Sequence, residues 1–271
     1  MSHKMKLPSL FDLTGRTALV TGGSRGLGLQ MATGLAEAGA QVTICARKSQ
    51  ELEEAKNSLL SQGLNVNTMV MDLGDADAIN QQTKDLLQKM KHVDILVNNA
   101  GMAWAGPAES TTEAQWQKVM NLNVNGLFYL TRNIAQQSML PRQSGVIINI
   151  ASVGGLQGNA PDMKTIAYNT SKGAVVNMTR ALASEWGPQG IRVNAICPGF
   201  FPTKLSSGLL DKTGPVVIAK TPLRRLGGNS DLKGTVVYLA SDASAYMTGQ
   251  CLVLDGGSST TLFGDMLGES S

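Results

Sequence analysis

The stretch Thr17-Ala18-Leu19-Val20-Thr21-Gly22-Gly23-Ser24-Arg25-Gly26-Leu27-Gly28 decides the architecture. Its short apolar opening predicts a strand buried on both faces. A glycine-rich turn follows at once, and Gly26 to Ala38 then reads as a helix stopped by Gly39. Glycines let a backbone turn tightly and approach a pyrophosphate, and the first N–H groups of a helix are free to meet the anion. Glycines alone fit any strand–helix turn. Between the first strand and first helix of an alternating chain they predict a dinucleotide site.

The alternation continues outward from this stretch. Gln41 to Ala46, Val66 to Met71, Asp94 to Val97, Gly145 to Ile150, Ile191 to Ile196 and Cys251 to Leu254 read as further strands. Helices are predicted over Ser49 to Gln62, Asp75 to Met90, about Thr112 to Leu140 with an interruption at Gly126, and about Thr165 to Trp186. Seven apolar strands spaced by helices imply one α/β domain over residues 1–271, a doubly wound (Rossmann) parallel sheet with helices on both faces. Residues 200–228 carry Pro202, Pro215, Pro222 and several glycines and resist a regular assignment. A long irregular segment in such a fold is expected to be a lid over the ligand crevice.

Composition bounds the function. With 271 residues and 42% hydrophobic content the chain has enough apolar mass for a sizeable core. Lys and Arg number 23 against 20 acidic residues, too even a balance to argue for nucleic acid or a membrane surface. No apolar run approaches a spanning helix, and Met1 to Ser9 lacks the core of a signal peptide. Cys45, Cys197 and Cys251 read as buried free thiols; with only His3 and His92 beside them they make no zinc site. Reduced thiols and no export signal point to the cytoplasm.

The end of the second strand bears on which dinucleotide is held. An NAD site usually places an acid there for the ribose hydroxyls, whereas this chain has Cys45-Ala46-Arg47-Lys48. Arg25 lies in the loop itself, and cations at both places suit a 2′-phosphate, so NADP(H) is expected. Further on, Tyr168 and Lys172 stand four apart in Tyr168-Asn169-Thr170-Ser171-Lys172. On a helix they share a face, where an ammonium lowers the pKa of a phenol and makes it a usable proton donor.

These motifs together resemble the short-chain dehydrogenase/reductase family along almost the whole chain. The carrying residues are Thr21-Gly-x-x-x-Gly26-x-Gly28, Asp72-Leu73, Asn98-Asn99-Ala100-Gly101, Asn123, Ser152, Tyr168-x-x-x-Lys172 and Pro198-Gly199. The resemblance implies hydride transfer between a nicotinamide and a carbonyl carbon, with the pro-S hydride of NADPH, and no metal. It implies a catalytic tetrad of Asn123, Ser152, Tyr168 and Lys172. Ser152 would hold the substrate oxygen, Tyr168 would exchange the proton, Lys172 would bind the ribose, and Asn123 would hold a relay water. Thr21, Gly22, Ser24, Arg25, Gly26, Leu27 and Gly28 would cradle the phosphates, with Arg47 and Lys48 at the adenosine end. Asp72 and Leu73 would hold the adenine; Asn99, Ala100 and Gly101 would lie beside the cofactor; Pro198, Gly199 and Thr203 would frame the nicotinamide. Family likeness also implies a homotetramer, a dimer being the other arrangement.

The resemblance implies a small carbonyl compound or alcohol as substrate, and neither nucleic acid nor a membrane as partner. Trp104 either lines the pocket mouth or packs under the lid, and Phe200, Phe201 and Leu205 give the lid an apolar lining. Lys204, Arg224 and Arg225 either attract an anionic substrate or are simply solvated. Arg225-Leu226-Gly227, Tyr246-x-Thr248-Gly249-Gln250 and Asp255-Gly256-Gly257 resemble 3-oxoacyl thioester reductases; Leu10-Phe11-Asp12-Leu13-Thr14-Gly15 and Ala32-Thr33-Gly34-Leu35 resemble gluconate 5-dehydrogenases. Fifteen residues separate Ser152 from Tyr168, a few more than the family pattern, and the extra loop 158–164 borders the substrate side. A dinucleotide-binding regulator without catalysis is the reading of another class; it would be expected to lack the Tyr or the Lys.

Overall fold

The computed structural model describes residues 6–260. Seven parallel strands form one sheet in the order β3-β2-β1-β4-β5-β6-β7. They are β1 (Thr17–Thr21), β2 (Gln41–Ala46), β3 (Asn67–Val70), β4 (Ile95–Asn98), β5 (Gly145–Ile150), β6 (Ile191–Pro198) and β7 (Cys251–Leu254). The order reverses between β1 and β4, and in open parallel sheets ligands bind at the carboxyl ends of the strands beside such a reversal.

A one-turn helix α1 (Leu7–Leu10) precedes the sheet. The remaining helices are α2 (Gly26–Glu37), α3 (Ser49–Leu60), α4 (Ala76–Met90), α5 (Glu113–Met120), α6 (Leu127–Ile134), α7 (Leu140–Arg142), α8 (Ile166–Trp186), α9 (Ser207–Lys220) and α10 (Lys233–Ala240). Period-two alternation sorts the strand side chains into two cores. Ala18 and Val20 pack with Val42, Ile44, Met31 and Leu35 on the side of α2, α3 and α10. Leu19 faces the other way, among Met69, Ile79, Leu96, Leu130 and Trp186. The two sets explain why β1 and β4 are buried at every position.

Two expectations change. The helical stretch beginning near Thr112 is not broken at Gly126. Two π-helical segments, Asn121–Gly126 and Ala135–Met139, join α5, α6 and α7 without a gap. Gly126 serves close approach instead, because a Cβ there would stand 1.9 Å from the Leu73 carbonyl oxygen. The lid stretch is not irregular throughout: α9 occupies its centre, with Pro215 inside the helix.

Polar side chains index the middle of the sheet. Asn98 donates to Thr131 Oγ1 (2.8 Å) and to Asn149 Oδ1 (2.9 Å), and Asn149 donates to Thr179 Oγ1 (2.9 Å). This buried ladder runs from α6 through β4 and β5 to α8. At the opposite end of the strands, Asp94 accepts from Thr17 N (2.9 Å) and from Arg142 Nη1 (2.7 Å). Burial pushes the Asp94 carboxyl up, but Thr17 and Arg142 outweigh it and hold it below the usual carboxylate range.

Candidate active site

The glycine loop is built to let something approach closely. Gly22 and Gly26 have φ of +62° and +55°, a region that costs glycine nothing. A Cβ on Gly28 would meet the Gly22 oxygen at 2.2 Å and Asn99 Nδ2 at 2.5 Å, so the first turn of α2 lies directly on the loop. Thr21 spends its hydroxyl as a brace: it accepts from Asn99 N and Ala100 N at 2.9 Å each. Asn99 Nδ2 donates in turn to the carbonyls of Thr21 (2.9 Å) and Gly22 (3.1 Å). The loop is thereby fixed to the end of β4, with the N-terminus of α2 behind it. Ser24 and Leu27 sit at this mouth, Ser24 buried and Leu27 partly so. A cradle that only glycines can form, at a helix N-terminus, fits a dinucleotide pyrophosphate.

The adenosine end differs from the sequence expectation in one residue. Arg25, Arg47 and Lys48 are exposed there, but the site is not free of acid. Glu51, in the first turn of α3, accepts from Arg25 Nη1 at 2.7 Å and from Lys48 Nζ at 3.1 Å. Lys48 first, then Arg25, hold its carboxyl below the usual range. Its spacing from Lys48 was available as a signal; its meeting with Arg25 depends on the fold. Asp72 at its strand end makes a local turn, accepting from Gly74 N at 2.9 Å, and Leu73 is buried.

The four tetrad positions come from β5, α8 and the π-helical segment after α5. Ser152 is just past β5, where its Oγ accepts from Gly154 N at 3.1 Å. Tyr168 and Lys172 share a face of α8, with Lys172 Nζ 5.7 Å from the Tyr168 ring centroid. Lys172 is buried and donates to the Ile150 carbonyl at 2.6 Å. Burial drives its pKa down to about 8. The expected lowering of Tyr168 is not what the structure gives. Burial raises the phenol above its ordinary value, the nearby Ser152 hydroxyl opposes this, and the Lys172 ammonium is turned to Ile150.

The side chain of Asn123 is taken up by protein groups. Its amide donates to the Met102 carbonyl (2.8 Å) and Ser171 Oγ (2.9 Å), and its Oδ1 accepts from Met102 N (2.9 Å). It ties the loop that follows Gly101 to the helix turn that carries Lys172.

At the opposite wall, Pro198 ends β6, Gly199 N donates to Leu254 O at 2.9 Å, and the Thr203 methyl lies against Gly26. Trp104 is 39% exposed, at the surface rather than packed away. Phe200 is partly buried, but Phe201 is not a lining residue. It is buried in the α2 and α10 core, and a Cβ on Gly227 would strike its ring. Cys45 and Cys197 are buried and Cys251 only partly so. The sheet makes neighbours of the latter two on β6 and β7, where hydrogen bonding to Cys251, then burial, hold Cys197 as the neutral thiol. Among the described residues no helix is long and apolar enough to cross a membrane, and no acidic, Cys or His cluster could hold a metal.

A glycine-lined anion cradle with a half-buried phenol and a buried amine, at the switch point of a parallel sheet, defines a dinucleotide-dependent oxidoreductase. Comparison with known proteins agrees. A family model described as enoyl-(acyl carrier protein) reductase matches residues 22–259. A gluconate 5-dehydrogenase of Gluconobacter oxydans is 37% identical over 264 residues, 97% of this chain and 100% of that protein. A 3-oxoacyl-[acyl-carrier-protein] reductase of Chlamydia trachomatis is 34% identical over 90% of this chain and 98% of its own. The crystal structure of a gluconate 5-dehydrogenase from Burkholderia cenocepacia, in complex with NADP and tartrate, superposes with a TM-score of 0.88 at 32% identity. It covers 95% of this chain and 100% of that one. The chain belongs to the short-chain dehydrogenase/reductase family.

Proposed function

We propose that this protein is an NADP(H)-dependent oxidoreductase that interconverts a ketone and a secondary alcohol, with Tyr168 exchanging the proton. The observation that carries it is the half-buried Tyr168 beside Ser152, with Lys172 on the same helix face, at the strand ends that carry the glycine cradle. When bound, the nicotinamide supplies or accepts the hydride. Gly22, Ser24, Gly26, Leu27 and Gly28 would hold the pyrophosphate, and Arg47, with Arg25 and Lys48 once Glu51 releases those two, would meet the 2′-phosphate. Asp72, Leu73, Asn99, Ala100 and Gly101 line the adenine and ribose side; Pro198, Gly199 and Thr203 line the nicotinamide side. The α9 segment covers the crevice as a lid.

Ser152 Oγ hydrogen-bonds the substrate oxygen and stabilises the charge that develops on it. Tyr168 gives that oxygen a proton in reduction and takes one in oxidation. An ammonium at Lys172, released from Ile150 toward the ribose and phenol, lowers the Tyr168 pKa from its raised resting position. Since the Asn123 side chain is fully engaged, the relay water falls to its main-chain carbonyl.

Turnover followed at 340 nm with NADPH and with NADH, against a 3-oxoacyl thioester, 5-ketogluconate and an aryl ketone, tests this reading. Tyr168→Phe is expected to lose nearly all turnover while still binding NADPH, and substantial activity in it would overturn the assignment. Equal kcat/KM for NADH would overturn the cofactor preference. A sugar-acid substrate is a second reading, favoured by the two gluconate 5-dehydrogenases above. A cytoplasmic homotetramer is the proposed working form, checked by light scattering of the purified protein.

A further inference from the structure

A cavity of about 570 Å³ lies between α8 and β7, the edge strand of the sheet. Its walls include Leu156, Arg180, Ser184, Thr248, Gln250 and Cys251, none of which the proposed reaction uses. Small-molecule sites span roughly 300–1,000 Å³, so there is room for a ligand. The cavity also holds a nucleophile. Cys251 is partly exposed, whereas Cys45 and Cys197 are buried. The register sets Cys251 opposite Ala195, so Cys197, two positions on, shares its face in the apolar cluster under α8.

The surroundings of the three thiols differ. A hydrogen bond from the Cys197 thiol holds Cys251 below its ordinary pKa; burial opposes this, and the Arg180 guanidinium supports it. Burial pushes the Cys45 thiol up to about 12, and hydrogen bonding to Cys251, then burial, keep Cys197 neutral. Thiolates are the nucleophiles, and reactive ones sit partly exposed beside a cation. Arg180 is exposed and forms no ion pair among the described residues, so its charge can meet an anion entering the cavity. Ser184, Thr248 and Gln250 add polar groups suited to peptide amides.

We propose that Cys251 is a modification site that takes up an anionic peptide thiol as a mixed disulfide, with a carboxylate of the adduct on Arg180. The Cys251 thiolate attacks one sulfur of the peptide disulfide. A new S–S bond forms at Cys251 as the old one breaks, and the second peptide thiol leaves with the electron pair and takes a proton from water. Cys251 is thereby oxidised and the departing thiol reduced. Cys197 serves as hydrogen-bond donor and not as a disulfide partner. Diagonal neighbours across two strands stand about 7–8 Å apart, beyond an undistorted disulfide.

Glutathione disulfide is the probe, incubated with the native full-length protein at neutral pH and followed by peptide mass spectrometry. One adduct per chain is expected, on Cys251, with none on Cys45 or Cys197 until urea exposes them. Cys251→Ser is expected to take up none. Arg180→Gln is expected to slow glutathione disulfide by about threefold or more, the scale of one exposed ion pair, and to leave the cationic disulfide cystamine as fast as before or faster. An unchanged urea midpoint shows that the variant is folded. No adduct on the native protein, adducts spread over all three cysteines, or a Cys197–Cys251 disulfide in their place overturns the site. So does an Arg180→Gln protein that reacts with glutathione disulfide as wild type does, or that slows both reagents equally.

Discussion

Replacing Lys172 with Met is expected to stabilise the protein while destroying its turnover. The ammonium is buried, and its pKa falls from 10.5 to about 8. At about 1.4 kcal/mol per unit, holding it charged costs folding about 3 kcal/mol. Below pH 8 the lysine is protonated in both folded and unfolded chains, and the cost is present in full. Between pH 8 and 10.5 the unfolded chain keeps the proton and the folded chain has lost it, so stability rises with pH through that window. Met fills similar space without a charge. It abandons the hydrogen bond to Ile150 O, a loss of about 1 kcal/mol, which leaves a net gain of about 2 kcal/mol at pH 7.

Urea unfolding of the cofactor-free proteins from pH 7 to pH 10, followed by circular dichroism, measures both numbers. The advantage of Lys172→Met is expected to be greatest at pH 7 and to shrink as pH rises above 8. Tyr168 works the other way, since its raised pKa lets the unfolded chain ionise first and lowers stability above pH 10. That effect belongs to both proteins and cancels in the difference. A variant less stable than wild type at pH 7, with a parallel pH profile, would refute the argument that burial dominates at Lys172.

Gly126→Ala is expected to cost about 3 kcal/mol or more in urea, because its Cβ would stand 1.9 Å from the Leu73 oxygen and backbone has to move; a wild-type midpoint would mean the π-helical turn yields easily. Asp94→Asn removes the charge partner of Arg142, and a loss of about 3 kcal/mol at pH 7 is expected. Because the Asp94 pKa is depressed, its contribution is present above about pH 4 and is lost as pH falls further; the variant's acid-unfolding curve should be flatter there. Glu51→Gln frees Arg25 and Lys48 and is expected to tighten binding of 2′,5′-ADP by roughly threefold, the scale of exposed ion pairs. Calorimetry reads this directly, and weaker binding would show Glu51 to be a ligand rather than a competitor.

What the sequence carries plainly is whatever short range decides. Strands β1, β4 and β5 are each centred on a short run of apolar residues, and the glycines of the cradle follow β1 without a gap. The pairing of Tyr168 with Lys172 needs only helical spacing. Long-range geometry decides the rest. Glu51 reaches Arg25 across 26 positions of chain, so no local pattern reveals that the cation pair has a counter-ion. Phe201 looks like a lid residue beside Phe200 until Gly227 gives its ring a place in the core. Gly126 and Pro215 are read by propensity as breaks, yet Gly126 is demanded by Leu73 and α9 runs through Pro215. The direction of the Tyr168 pKa depends on how deeply the phenol is buried and where the lysine points, and spacing encodes neither.

The asparagine ladder through β4 and β5 has a consequence for folding fidelity. A strand that is apolar on both faces is degenerate: sliding it by two residues beside its neighbour exposes no new polar atom and buries almost the same groups. Hydrophobicity alone therefore cannot tell the native alignment of Ile95–Asn98 against Gly145–Ile150 from its nearest misalignment. Asn98 and Asn149 break that degeneracy, because only one alignment brings each amide to its partner and to the threonines at positions 131 and 179. Any slip strands buried amides with nothing to bond, a penalty that grows as the sheet dries. The same strands carry Asn99 and Ser152 at their ends, so the device that rejects misaligned sheets also sets, to the residue, where the reacting groups emerge.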